Sequence, residues 1–87
     1  MSNPSRVVRL RAALEHALHP SLLEIRDDSA KHAGHQGARE GGHFHVIIAA
    51  TAFNGVSRVE RHRMVYAAAA ELMGREIHAL SIDARPA

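Results

Sequence analysis

Eight histidines and no cysteine in 87 residues set the chemistry open to this chain. Imidazole is the commonest protein metal ligand and changes charge near neutral pH. Without cysteine there is no disulfide and no thiolate ligand, so soft-metal chemistry has to use histidine or sulfur brought by a partner. His32 and His35 form an H-x-x-H pair, His43 and His45 lie two residues apart, His62 follows Arg61, and His78 follows Ile77. The H-x-x-H pair alone falls short of a zinc site, which takes three or four protein ligands. Read by itself, adventitious binding of zinc or copper is the plainer role for it. His43 and His45 share one strand face, either solvated or lining a cleft. His62 reads as a hydrogen-bonded structural histidine, and His78, in step with Leu80 and Ile82, as a half-buried one. Ser57, Glu71 and the other polar residues assemble no nucleophile, base and orienting group, so no enzymatic activity is expected.

The second reactive feature is cationic. Arg58, Arg61 and Arg63 fall within two turns of one helical segment, where they read as solvated charges or as nucleic-acid contacts. A net charge of +2 gives little general attraction for a polyanion, and such binding would be weak and strongly salt-dependent.

The elements that must position these residues follow from periodicity. A single domain, 1–87, with a small core is expected, because aromatics contribute only 3% of the chain. Asn3 as N-cap and Pro4 at the first helical position open a helix, whose stripe is Val7, Leu10, Leu14, Ala17 and Leu18. His19-Pro20 ends it. Leu22–Asp27 alternates as a strand. Residues 30–42, rich in glycine and histidine, read as a flexible loop. His43–Thr51 alternates Phe44, Val46 and Ile48 toward one face. Asn54-Gly55 marks a turn, and Ser57 with Glu60 has the capping-box spacing. A helix is predicted from Ser57 to Met73, with Gly74 as its C-terminal cap. Ile77–Ala84 is the last strand, and 85–87 is a tail. The order helix, strand, strand, helix, strand suits two helices on one face of a three-stranded sheet. The long crossover before the last strand makes that sheet mixed. The N-terminus carries Arg6, Arg9, Arg11 and Glu15 in place of a secretory apolar block. The longest apolar run, Val46–Ala50, is too short to span a bilayer, so a cytoplasmic protein without membrane contact is expected.

The segment Phe53–Ile82, FNGVSRVERHRMVYAAAAELMGREIHALSI, resembles the BolA-like family. The resemblance rests on Arg61-His62-Arg63, the alanine-rich helix with Glu71-Leu72, and Ile77-His78-Ala79-Leu80. Asp28-Ser29-x-x-His32 and His43-Phe44-x-Val46 agree with it. What the resemblance implies is a KH-like α/β fold and an adaptor that binds a monothiol glutaredoxin. The shared [2Fe–2S] cluster would be held by the glutaredoxin cysteine and glutathione on one side and by two ligands of this chain on the other. Those ligands map onto His78 and His32, with His35 as the alternative in the loop. The expected role is iron–sulfur maturation and trafficking or iron homeostasis, with a free protein that is a monomer or a weak homodimer. Imidazole replaces thiolate on one iron of Rieske-type centres, so the chemistry is sound. Imidazole must be neutral to bind iron, and histidine ordinarily titrates near about 6.5. A histidine-held cluster is therefore expected to weaken as pH falls through about 6.5, and visible spectra from pH 8 to pH 5 check this. The alternative implied by the family is a DNA-binding transcriptional regulator acting through the second helix. The usual KH clamp, a G-x-x-G loop, is incomplete here, because Gly55-Val56-Ser57-Arg58 lacks its second glycine.

Overall fold

A computed structural model describes residues 4–29 and 42–87. Helix α1 (Pro4–Leu18) is followed by strands β1 (Leu22–Asp27) and β2 (Gly42–Ala50), a 3-10 turn at Thr51–Phe53, helix α2 (Arg58–Ala68) and strand β3 (Ile77–Pro86). The sheet order is β1-β2-β3. Strand β2 is central, antiparallel to β1 and parallel to β3. This is the mixed sheet that the long crossover requires.

One face of the sheet carries the core. Along β2, Gly42, Phe44, Val46, Ile48 and Ala50 are buried and the intervening residues are half-buried. Leu10 and Leu14 of α1, Val65 of α2, and Ile77, Leu80 and Ala84 of β3 close on that face. Phe53, fully buried, plugs the passage from β2 to α2. Among the described residues no helix covers the opposite face, which presents His43, His45, Ile47 and Ala49 in β2. Register sets Arg26 and Ser81 on either side of His45, and Glu24 and Asp83 on either side of Ile47.

Local chemistry explains the boundaries. His19 takes a positive φ of 46°, and its N–H returns to the Glu15 carbonyl at 3.0 Å, a left-handed cap ahead of Pro20. Asn3 lies outside the described residues. The Phe53–Val56 turn closes with Val56 N–H on the Phe53 carbonyl at 3.1 Å. Asn54 sits at φ −64°, ψ 127° and Gly55 at φ 74°, a type II turn whose third position needs glycine. The Ser57 hydroxyl caps α2 by accepting from Glu60 N–H at 3.2 Å. The reciprocal half of the capping box is replaced, because the Glu60 carboxylate accepts from Arg63 at 2.9 Å.

Three expectations are corrected. Helix α2 stops at Ala68, and residues 69–76 form successive turns, with Gly74 (φ 79°) inside them rather than capping a long helix. Alanine's helix propensity is overridden because the turns seat Leu72 and Met73 against the core, where apolar burial outweighs a few tenths of a kcal/mol per residue. Strand β3 runs on through Pro86, so 85–87 is no free tail, and Ala87 N–H donates to Asn54 Oδ1 at 2.9 Å. Gly42, assigned to the loop, is the first residue of β2, its N–H bound to the Glu76 carbonyl at 2.9 Å.

Candidate functional site

Because β2 and β3 run parallel, their first residues meet at one end of the sheet. There Gly42 pairs with Ile77 and His43 with Ala79, which leaves His78 as an extra residue in β3. Such a bulge shifts the alternation and re-aims a side chain. Ile77 and Leu80 both face the core, three residues apart, while His78 is exposed. The expectation that His78 shares a face with Leu80 and Ile82 is thus corrected: the bulge lifts it out of the core row. Its ring lies against that of His43, with centroids 5.1 Å apart and planes tilted by 41°.

His43 is held from both sides of its peptide unit. Its carbonyl accepts from Asp28 N–H at 2.7 Å, and its N–H donates to the Ser29 hydroxyl at 3.0 Å. Asp28 is itself paired with Arg26 at 2.8 Å, and that partner raises the Arg26 guanidinium above its ordinary value through a hydrogen bond and charge attraction. The chain therefore leaves the described residues at Ser29 and re-enters at Gly42, both at the His78 end of the sheet. His32 and His35 lie outside the described residues.

The sequence placed His43 on a strand face without pairing it to His78. The signal was the helical crossover itself, which makes β2 and β3 parallel and brings their starts together. Two neutral imidazoles suit a metal or cluster, since each offers one nitrogen lone pair. Among the described residues no group of three or more histidines, cysteines or acidic residues is placed to close a metal cage. A centre at this end has to draw its remaining ligands from beyond these residues.

The arginines divide. Arg63 is exposed and tied to Glu60. Arg58 and Arg61, with His62, line a cleft between α2 and β3 that also takes in His45, Ser81, Asp83 and Arg85. Arg61 is half-buried, and its Nε is shielded with no acceptor among the described residues, so it is not the solvated charge expected. The His62 ring likewise lines this cleft, half-buried, and makes no hydrogen bond among the described residues. Thus the structure brings two of the three predicted arginines together and sets the third aside.

A mixed three-stranded sheet with two helices on one face, and imidazoles paired at one sheet end, defines a small α+β module. A family model described as "BolA-like protein" matches residues 14–87, and the chain belongs to that family. It is 45% identical over 76 residues to "BolA-like protein 1" of Homo sapiens, covering 87% of this chain and 54% of the human protein. The chain thus spans about half the length of the curated relatives it matches first. It is 34% identical over 74 residues to the "DNA-binding transcriptional regulator BolA" of Escherichia coli, covering 85% of this chain and 69% of that protein. The solved BolA domain of SufE1 from Arabidopsis thaliana superimposes with a TM-score of 0.84 at 42% identity, covering 98% of this chain and 95% of that one. No described helix is long and apolar enough to cross a membrane.

Proposed function

We propose that this chain is an adaptor that binds a monothiol glutaredoxin and contributes histidine ligands to a [2Fe–2S] cluster, completed by the partner's cysteine and glutathione. The observation that carries the reading is the bulge at His78, which exposes one imidazole beside the ring of His43 at the end of the sheet where the 30–41 segment begins and ends. His78 is the principal ligand in this proposal. The second comes from His32 or its alternative His35, or from His43. The cluster supplies electron storage or is itself the cargo. The residues of this chain hold it, and imidazole ligation raises its potential relative to thiolate. Iron–sulfur trafficking or iron homeostasis is the biological setting that follows.

The test is titration of this protein into a monothiol glutaredoxin loaded with its glutathione-ligated cluster, followed by visible circular dichroism. A new spectrum saturating at one to one, absent with His78→Ala, supports the reading. Comparing His32→Ala, His35→Ala and His43→Ala identifies the second ligand. An unchanged spectrum, or a His78→Ala variant that behaves as wild type, rejects it.

A second reading, DNA binding through α2, draws on the name of the E. coli relative and on Arg58 and Arg61. The pairing of Arg63 with Glu60 weakens it, since a helix reading DNA needs its cations free along one face.

A further inference from the structure

The cleft between α2 and β3 has a composition unlike the rest of the surface. Three guanidiniums, from Arg58, Arg61 and Arg85, converge on it from two elements, and the imidazoles of His45 and His62 complete the wall. Among the described residues the lining holds one carboxylate, Asp83, already bound to Arg85 at 2.7 Å, and Glu24 acts on Arg85 from farther off. Three guanidiniums less one carboxylate leave a surplus of positive charge in the lining.

Charge satisfaction separates Arg61 from several other arginines. Arg9, Arg26 and Arg63 each hold a carboxylate, whereas Arg61 has no acceptor among the described residues and its Nε is shielded from solvent. A shielded N–H donor without an acceptor carries a desolvation cost that a bound anion would relieve. Arg58 and Arg61, three apart, stand on successive turns at the N-terminal end of α2, a helix of 11 residues. There the helix dipole adds its own attraction for negative charge, part of which the Glu60 carboxylate already answers. His45 meets the cleft from the open face of the sheet, its Nδ1 within 3.1 Å of the Ser81 hydroxyl, which adds a polar group beside the cations.

We infer that this cleft is a binding site for a phosphate dianion, either free or as the terminal group of a small phosphate monoester, held by Arg58 and Arg61. Two uncompensated guanidiniums match a dianion in charge, and their forked donors match the geometry of phosphate oxygens. The cations gather in a concave cleft of two elements, and the outward Arg63 is neutralised. That arrangement favours a compact anion over an extended nucleic-acid backbone. The site is independent of the cluster-sharing proposal: it uses α2 and the later half of β3, and none of His32, His35, His43 or His78.

The experiment is a titration of the full chain with inorganic phosphate and with adenosine monophosphate at constant ionic strength. It is followed by amide chemical shifts, with chloride as control and a 20-base-pair DNA duplex as a separate arm. The expected result is saturable one-to-one binding, with shifts confined to His45 and residues 57–62 and 81–86. Arg61→Gln and, separately, Arg58→Gln should each weaken it about tenfold, while Arg6→Gln on α1 leaves it unchanged. Arg58 is exposed, so its variant reports even if Arg61→Gln fails to fold. Saturable binding of phosphate alone assigns the site to the free ion, and binding of the nucleotide as well assigns it to monoesters. Shifts that stay linear and match those from chloride overturn the inference. So does a site that takes the duplex saturably, with loss in the same variants, while ignoring both small anions.

Discussion

The two ends of β3 offer opposite chemistries on one short strand. At its start, the bulge puts the exposed His78 imidazole beside the His43 ring. Toward its end, Arg85 joins Arg58 and Arg61 of α2 around a cleft, and N–H donors face inward. The first end can give imidazole lone pairs to a metal, and the guanidiniums of the second can only donate hydrogen bonds to an acceptor. A chain this small has room for both because β3 is an edge strand and α2 covers only one side of it. The comparison teaches that the two candidate functions of this family member occupy separable surfaces, so a variant that damages one should spare the other.

The sharpest way to break that separation is Gly42→Ala. A Cβ at this position would fall on the ring of Phe44, with Cζ only 2.6 Å away and Ser29 Oγ at 3.2 Å. Either the Phe44 ring leaves the core or the start of β2 shifts, carrying His43 with it. The expected cost is about 1–3 kcal/mol, the range for overpacking, measured by urea unfolding. Cluster exchange should be impaired while phosphate binding survives in the folded fraction. If both fall together, the two ends are coupled through the sheet.

Tyr66→Phe probes the link between the two ends. The Tyr66 hydroxyl donates to the Leu80 carbonyl at 2.9 Å and ties α2 to β3 between His78 and the cleft residue Ser81. Its loss should cost about 0.5–1.5 kcal/mol in urea unfolding, while both cluster exchange and phosphate binding persist in the folded protein. Asp83→Asn has the smallest effect. The hydrogen bond from Arg85 holds the Asp83 carboxyl below its ordinary value, and the charges of Arg85, His45 and Arg58 act in the same direction. A lowered folded-state value means the contribution is present above the ordinary aspartate value of about 3.9 and fades as pH falls through the folded one. The pair is solvent-exposed, so the stability change at neutral pH, read by urea unfolding, should be the smallest of the three. The same substitution removes the cleft's carboxylate and should tighten phosphate binding.

Much of the fold was legible because the strands carry their own register. Phe44, Val46 and Ile48 alternate cleanly, and all three are buried. The order of elements forced the mixed sheet, and Ser57 announced the start of α2. Its end was not legible, since Ala67–Ala70 has high helix propensity and only the need to seat Leu72 and Met73 breaks the helix. The candidate site divided in the same way. His78 stood out by position, but period-two alternation placed it in the core row, because a bulge leaves no mark in local composition. The contact of His43 with His78 depends on a parallel pairing across 35 residues, and the enclosure of Arg61 depends on where β3 lies against α2. Both are tertiary facts.

The central claim, that an imidazole of this chain enters the shared cluster at His78, is tested most directly by electron spin echo envelope modulation. The sample is the one-electron-reduced complex with glutaredoxin, comparing this chain with natural and 15N-labelled histidine. The account predicts strong imidazole-nitrogen couplings that change with the label and are lost or halved in His78→Ala. Couplings that ignore the label, or that persist in full without His78, would contradict it.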